Sequence, residues 1–186
     1  GWYQLRQEGE AILFSVDMLD ANTITAVGSD GLILHSTDGG GTWSSPASGA
    51  SDNLRRVRWH SPSLGVLLGN GGVALKSVDG GASWQSMNTG TTKALFDIHF
   101  FDADNWLVIG QAALRITTTD GGQSWEEQGS GTDNFNEIDI RGDFGVIVGN
   151  KGHIRYTKDG GKSWGNGKAS TNLELTSVSV GDDSTA

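Results

Sequence analysis

Short apolar runs, broken by glycine and small polar residues, set the pattern of the chain. The runs have the length and alternation of β-strands, and no stretch combines a roughly 3.6-residue apolar spacing with helix caps. In one unit, Asn-Gly-Gly at residues 70–72 predicts a tight turn between two strands, and Asp-Gly-Gly at residues 79–81 predicts the next turn. The sequence therefore predicts essentially no helix. The four strands predicted for this unit are residues 54–59, 66–68, 73–77 and 83–87.

The same unit returns along the chain, and each copy ends in the motif [ST]-x-D-G-G-x-[ST]-W. The copies are about 40 residues apart, which is the repeat length of a four-stranded propeller blade. The sequence therefore predicts an all-β fold, a β-propeller of four-stranded antiparallel blades. The motif aspartates and tryptophans are Asp38 and Trp43, Asp79 and Trp84, Asp120 and Trp125, and Asp159 and Trp164.

This motif is similar to the Asp-box, or BNR, repeat. Together with the apolar strand and G-x-x-G that precede it, it most resembles the photosystem II stability/assembly factor-like propellers. The resemblance covers nearly the whole chain and implies a ring of about seven blades. It is specific for the fold but weak for function, because sialidases, xyloglucan hydrolases and sorting receptors share the repeat. A motif repeated in every blade serves the fold, so we expect each Asp to hold its turn and each Trp to pack between sheets.

The repeat divides the chain into four complete blades with an additional piece at each end. Residues 1–8 read as an orphan outer strand, and residues 173–186 as the start of a next blade with an inner strand at 175–180. Two interpretations follow: the N-terminal portion of a larger ring, or a complete small ring. We favour the first, because a small ring would expose strand edges and an inter-blade face. The predicted blades are residues 11–47, 53–88, 94–129 and 134–168.

Composition narrows the range of partners. The 186 residues carry a net charge of −9 and no Cys. The acidic balance disfavours nucleic-acid binding, and no apolar run approaches the roughly 20 residues that cross a bilayer, so no membrane insertion is expected. Without Cys there is no disulfide framework and no thiolate nucleophile. The sequence contains no signal peptide, yet we expect an exported protein: periplasmic, lumenal, extracellular or on the surface of a larger assembly.

Catalytic chemistry finds little support in the sequence. The acids on inner strands, Asp17, Asp97, Glu137 and Asp139, could form the carboxylate pair of a glycosidase, but each also suits a polar position of an alternating strand. The histidines fall at different blade positions and form no ligand pair. We predict no catalytic residue, no metal and no cofactor. The histidines are His35, His60, His99 and His153.

A basic cluster, Arg55, Arg56 and Arg58, lies on the inner strand of the second blade. Alternation places Arg56 and Arg58 on one side, where they could form ion pairs with Asp17 and Asp97 on the neighbouring inner strands. The alternative is a basic spot that receives an acidic peptide or a partner's carboxylate. The resemblance implies a basic patch, but the acidic balance of this chain departs from that pattern, and photosystem binding is not assumed.

Turns on one face of the propeller supply further binding candidates, because loops on a rigid scaffold carry function. By propeller convention, the turns that contain Asn70, Gln111 and Lys151 share this face with the loops between blades. The third unit has Gln111-Ala112-Ala113 where the others have a Gly before the third strand, so its loop should differ in shape.

The sequence thus favours a non-enzymatic propeller that serves as an interaction or assembly scaffold for a protein partner. The alternative is a carbohydrate-binding or glycoside-hydrolase propeller of the sialidase or xyloglucanase type, with a glycan as ligand and catalytic residues in further blades. In that case Trp59 and Trp106 would act as sugar platforms, although both lie on or beside an inner strand.

Overall fold

A computed structural model describes residues 11–129 and 131–181 of the chain. The described residues form four antiparallel sheets, each a meander of consecutive strands. This confirms the all-β propeller fold with four-stranded blades. The only helical elements in this part of the chain are four three-residue 3-10 turns, Ser29–Gly31, Asn70–Gly72, Gln111–Ala113 and Asn150–Gly152.

Each blade runs from an inner strand to an outer strand. In the first blade the outer strand is reduced to a single bridge between His35 and Ser44. The first blade contains β1 (Leu13–Met18), β2 (Ile24–Gly28) and β3 (Ile33–Ser36). The second contains β4 (Leu54–Trp59), β5 (Gly65–Gly69), β6 (Ala74–Ser77) and β7 (Gln85–Ser86). The third contains β8 (Leu95–Phe100), β9 (Trp106–Gly110), β10 (Arg115–Thr118) and β11 (Glu126–Gly129). The fourth contains β12 (Phe135–Arg141), β13 (Phe144–Gly149), β14 (His153–Thr157) and β15 (Gly165–Lys168).

The blades pack face to face through three apolar clusters, one at each interface. At the first interface, Val27 and Ile33 of the first blade lie in one cluster with Leu54, Leu67 and Trp84 of the second. The second strands are the centre of this packing, because β5 and β9 are buried along their whole length. Burial on both faces explains why the second strands read as continuous apolar runs.

Every inner strand carries the same irregularity near its start. The register with the second strand shifts between the first and third residues of the inner strand, as between Leu54 and Arg56, so the residue between them forms a β-bulge. A bulge re-aims the side chain of the extra residue. The four bulge residues are Phe14, Arg55, Phe96 and Asn136.

The two predicted end pieces differ in how far the structure describes them. The proposed outer strand at residues 1–8 lies outside the described residues, as do residues 182–186. Residues 175–180 belong to no described strand, but the Leu175 N–H donates to the Gly149 carbonyl at 3.0 Å. Within residues 11–129 and 131–181, no helix has the length and apolar character of a membrane-spanning segment.

Candidate binding site at the inner strands

Arg56 and Arg58 form an ion cluster with acids of the next two blades. The Arg56 Nε lies 3.1 Å from the Asp97 Oδ1, and the Arg58 Nε lies 3.4 Å from the same oxygen. Glu137 completes the cluster at 3.5 Å from Arg56 and 3.8 Å from Arg58. The predicted contact with Asp97 is therefore present, while Asp17 forms no described ion pair with either arginine.

Asp97 is the buried centre of this cluster, with a side chain that is 0% exposed. Burial raises the pKa of the Asp97 carboxyl, and the Arg56 and Arg58 guanidiniums oppose that rise. The second carboxylate oxygen accepts the backbone N–H of Ile138 at 3.2 Å. Asp97 thus joins the inner strands of three successive blades.

The other inner-strand acids also bind backbone groups of the next inner segment. Asp17 accepts the N–H of Trp59 at 2.8 Å. Glu137 accepts that of Val178 at 2.8 Å, and Asp139 accepts that of Val180 at 2.7 Å. These acids are therefore engaged by the propeller scaffold, which is the simpler of the two roles considered for them.

Arg55 differs from its two neighbours because none of the ion pairs in the described part of the chain involves it. It lies on the bulge of β4, exposed, between two phenylalanine rings of the adjacent blades. The guanidinium carbon is 5.8 Å from the centre of the Phe14 ring and 5.4 Å from that of Phe96. Its Nε donates to the Asn70 Oδ1, which fixes the plane of the group. Its terminal nitrogens have no described partner.

The sequence did not reveal the roles of Phe14 and Phe96. Their positions in the repeat could have indicated these roles, because both occupy the second position of an inner strand, as Arg55 does. Only the repeated bulge shows that these positions, about 40 residues apart, contact one another.

Of the three turn residues predicted as binding candidates, only Asn70 contacts the arginine cluster. Asn70 contacts Arg55. The Gln111 Oε1 accepts the N–H of Ala94 at 3.1 Å, and the Lys151 Nζ pairs with Asp133 at 2.8 Å. The structure therefore brings Asn70 to the arginine cluster, whereas the described contacts of Gln111 and Lys151 are within their own blades.

The Asp-boxes form one hydrogen-bonded turn in each blade. In the second blade, Asp79 accepts the N–H of Ser83 at 3.0 Å and the hydroxyls of Ser83 at 2.6 Å and Ser77 at 2.8 Å. The Ser83 hydroxyl and N–H, followed by the Ser77 hydroxyl, lower the pKa of Asp79 to about 2. Hydrogen bonds of the same kind lower the pKa of Asp38, Asp120 and Asp159 to about 2.

The Asp-box tryptophans pack inward beside the turns. Three donate the indole N–H to the carbonyl of the second glycine of their own box, whereas the Trp84 N–H has no partner among the described residues. Trp84 is 8% exposed and lies 5.7 Å from the ring of Trp59. The three that donate are Trp43, Trp125 and Trp164.

The two tryptophans considered as sugar platforms belong to the core. Trp106 is 1% exposed and donates to the Ala103 carbonyl at 3.0 Å. Trp59 is partly buried and packs against the cluster around Trp84. Trp106 is therefore closed to a glycan, and Trp59 is accessible only in part.

Comparison with known proteins places this architecture in a family. Residues 77–180 match a family model described as photosynthesis system II assembly factor YCF48. The chain belongs to this family. The assignment confirms the resemblance inferred from the Asp-box units. No curated protein sequence matches the chain.

Solved structures of YCF48 and of glycoside hydrolases share the fold. The YCF48 from Cyanidioschyzon merolae matches with a TM-score of 0.70 at 18% identity, over 91% of this chain and 60% of that one. A structure described as "YCF48 bound to D1 peptide" matches with a TM-score of 0.56 at 13% identity, over 84% and 80%. An ancestral GH74 enzyme matches with a TM-score of 0.64 at 16% identity, over 82% of this chain but only 23% of the enzyme. At these identities the matches show the fold.

Proposed function

We propose that this protein is a non-enzymatic YCF48-family propeller that acts as a protein-interaction or assembly scaffold, and that Arg55 captures a carboxylate of its protein partner. The observation that carries the proposal is the setting of Arg55. An exposed guanidinium without a carboxylate partner is held between two aromatic rings and oriented by Asn70. Such a group is prepared to bind a carboxylate through its terminal nitrogens.

The three arginines have different roles. Arg56 and Arg58 are neutralised by Asp97 and Glu137, so they shape the inner strands rather than offer free charge. Arg55 remains available beside them. The basic spot proposed from the sequence is thus centred on one residue, and its aromatic neighbours provide apolar surface for the residues that flank the partner's carboxylate.

Family membership supports a protein partner. One solved YCF48 structure contains a D1 peptide, so peptide binding is a property of at least one protein of this fold. By extension we propose a peptide segment with an exposed carboxylate as the ligand of this chain. The same relationship supports an exported location, on the lumenal, periplasmic or outer side of a membrane.

The carbohydrate alternative has weaker support. The inner-strand acids bind backbone N–H groups, Trp106 is buried, and the GH74 match covers 23% of that enzyme. A glycan-binding groove would need exposed aromatic faces, whereas Trp106 is buried and Trp59 is partly buried against the core.

Peptide binding tests the proposal directly. The probes are overlapping peptides of the D1 sequence, each made with a free carboxyl terminus and as the amide, and binding is measured by fluorescence anisotropy. We expect binding to require a free carboxylate and to weaken by about 10- to 150-fold in Arg55→Gln, because a charge-assisted hydrogen bond contributes about 1.5–3 kcal/mol. Lys158→Gln removes one exposed positive charge elsewhere and serves as the control.

Two results would overturn the proposal. One is equal affinity of Arg55→Gln and the unmodified chain for every bound peptide. The other is the absence of peptide binding together with specific binding on a glycan array or release of sugar from xyloglucan, which would favour the carbohydrate alternative.

A further inference from the structure

The third strands of the blades meet at one equivalent place in each interface. At the first interface, Ile33 of one blade and Leu75 of the next belong to the same apolar cluster, and at the second interface Ala74 and Ile116 do. Strand pairing defines which positions are equivalent. In each blade the second strand ends in a glycine, and the residue just before that glycine pairs with Ile33, Ala74 or Arg115 of the third strand. At the third interface the two positions hold Arg115 and Arg155.

Two arginines therefore stand where the other interfaces have aliphatic pairs. Both are half-buried, and neither takes part in any ion pair of the described residues. The Arg115 Nη2 donates to the Gln128 carbonyl at 3.1 Å. Burial first, and then the neighbouring Arg155 charge, lower the pKa of Arg115. A like-charge pair of this kind is costly unless an anion is bound.

The same interface contains a cavity beside a position where the other two interfaces have a longer side chain. At the second interface, Lys76 reaches across to the Gly121 carbonyl at 2.9 Å, and at the first interface His35 lies against Gly81. The equivalent residue at the third interface is the shorter Thr117, which lines a cavity of about 420 Å³. A short side chain thus leaves the space that a lysine or histidine occupies elsewhere.

The cavity walls combine positive charge with aromatic surface. Phe101 and Trp164 contribute aromatic surface to the lining, and Arg115 and Lys162 contribute positive charge. The Lys162 charge also acts on Asp159, but the Asp159 carboxylate is held in its own Asp-box turn. Among the residues that the structure describes, no carboxylate lines the cavity.

We propose that this cavity between the third and fourth blades binds a small organic carboxylate with an apolar or aromatic body. The Arg115 guanidinium would bind the carboxylate, Lys162 and the neighbouring Arg155 would add positive charge, and the body would lie against Phe101 and Trp164. A carboxylate matches a guanidinium in geometry and relieves the repulsion between the two arginines. The volume suits a ligand of one aromatic ring, since small-molecule sites span about 300–1,000 Å³. This site is separate from Arg55 and belongs to the outer part of the blades.

The test variant replaces the two arginines of the third interface with the residues found at the equivalent positions of the first interface. Arg115→Ile/Arg155→Leu installs the aliphatic pair of Ile33 and Leu75, so the fold should be kept while the anion site is removed. Phenylacetate is the probe, with phenylacetamide and inorganic phosphate as comparison ligands, and NMR chemical shifts of the Trp164 indole N–H report binding. Arg55→Gln is the starting chain, which removes the guanidinium proposed to bind the partner's carboxylate from the measurement, and Lys93→Gln is the charge control.

We expect phenylacetate to shift the Trp164 signal saturably, phenylacetamide to have no effect, and the double variant to bind at least tenfold more weakly. The double variant should also melt at the same or a higher temperature. If it fails to fold, Arg115→Gln takes its place with the same expected loss, because Arg115 lines the cavity. Unchanged phenylacetate affinity in the folded variant, equal binding of the amide, tighter binding of phosphate, or no saturable shift in the starting chain would each overturn the proposal.

Discussion

The Asp97 carboxylate on β8 accepts the backbone N–H of Ile138 on β12 at 3.2 Å. The same kind of bond joins Asp17 to Trp59 at the first interface, and the segment after the fourth blade is bound to it by Glu137 and Asp139. The inner strands of successive blades do not pair with one another. The N–H groups on the unpaired edge of each inner strand therefore need other acceptors. Acids on the preceding blade supply those acceptors and thereby fix the position of successive blades.

Removal of the most buried of these acids should be the most damaging. Asp97→Ala leaves Arg56, Arg58 and the Ile138 N–H without their shared partner. We expect a loss of about 3–5 kcal/mol in the free energy of unfolding, because breaking a buried ion pair leaves uncompensated charge. Urea denaturation gives the value.

Asp17→Ala is the matched comparison, since Asp17 also accepts an inner-strand N–H but is only partly buried and has no described ion pair. Its loss should be near 1 kcal/mol. Equal losses for the two variants would contradict the special role assigned to the Asp97 cluster.

The Asp-box turn should matter for stability and not for binding. Asp79→Ala removes the acceptor for the Ser83 N–H and for two hydroxyls, so we expect the melting temperature to fall by a few degrees while peptide affinity stays unchanged. Scanning calorimetry and the anisotropy assay measure the two quantities. Asp104→Ala is the control, because the Asp104 side chain accepts no described hydrogen bond. An unchanged melting temperature in Asp79→Ala would refute the structural role.

The four Asp-box carboxylates also predict an acid-sensitive fold. Their pKa lies at about 2 in the folded chain, against 3.8 for the unperturbed group. As the pH falls below about 4, the unfolded chain takes up these protons before the folded chain does, so stability present above that pH is lost towards pH 2. The urea midpoint should therefore decrease over this range.

A double variant isolates this contribution. Asp79→Asn/Asp120→Asn removes two of the four titrating groups, so about half of the Asp-box contribution to the pH dependence should disappear. A midpoint that falls equally steeply in both chains would assign the acid sensitivity to other carboxyls.

The sequence predicted the strands and turns that repeat in every blade, but it did not predict the contacts between neighbouring blades. The strand at residues 54–59 and the turn at 70–72 follow from local chemistry, and the structure has both. Alternation also placed Arg56 and Arg58 on one side of β4, but it could not show that both bind Asp97 of the following blade and neither binds Asp17 of the preceding one. The choice depends on how successive blades are rotated, which no local pattern encodes.

The bulge is the second feature that the pattern concealed. Strict alternation would put Arg55 and Arg56 on opposite sides of the strand, whereas the shifted register after Leu54 gives Arg55 its place between two phenylalanines. The pair of arginines between the third and fourth blades was likewise hidden, because each residue alone reads as an ordinary strand position.

Two contacting positions have opposite residue types in the second and third blades: glycine is at the first position in the second blade and at the second position in the third blade. In the second blade, a Cβ on Gly72 would lie 1.9 Å from the Thr91 carbonyl oxygen. In the third blade the equivalent residue is Ala113, which has a φ of 53°, and the residue equivalent to Thr91 is Gly131. The Gly131 N–H donates to the Ala112 carbonyl at 2.8 Å, and a Cβ on Gly131 would lie 2.9 Å from that of Ala113. The Cβ of Ala113 thus leaves no room for a Cβ at residue 131, which is consistent with the glycine at that position.

A double-mutant cycle tests this exchange. Gly72→Ala should destabilise the fold strongly, by more than the roughly 1–2 kcal/mol of a left-handed non-glycine residue, because backbone must also move. Gly131→Ala should also destabilise, and Ala113→Gly should relieve that loss when the two are combined. Urea denaturation of the four chains of the cycle gives the coupling. Strictly additive effects of Ala113→Gly and Gly131→Ala would show that the two positions do not compensate each other, since contacting residues of this kind couple by about 0.5–3 kcal/mol.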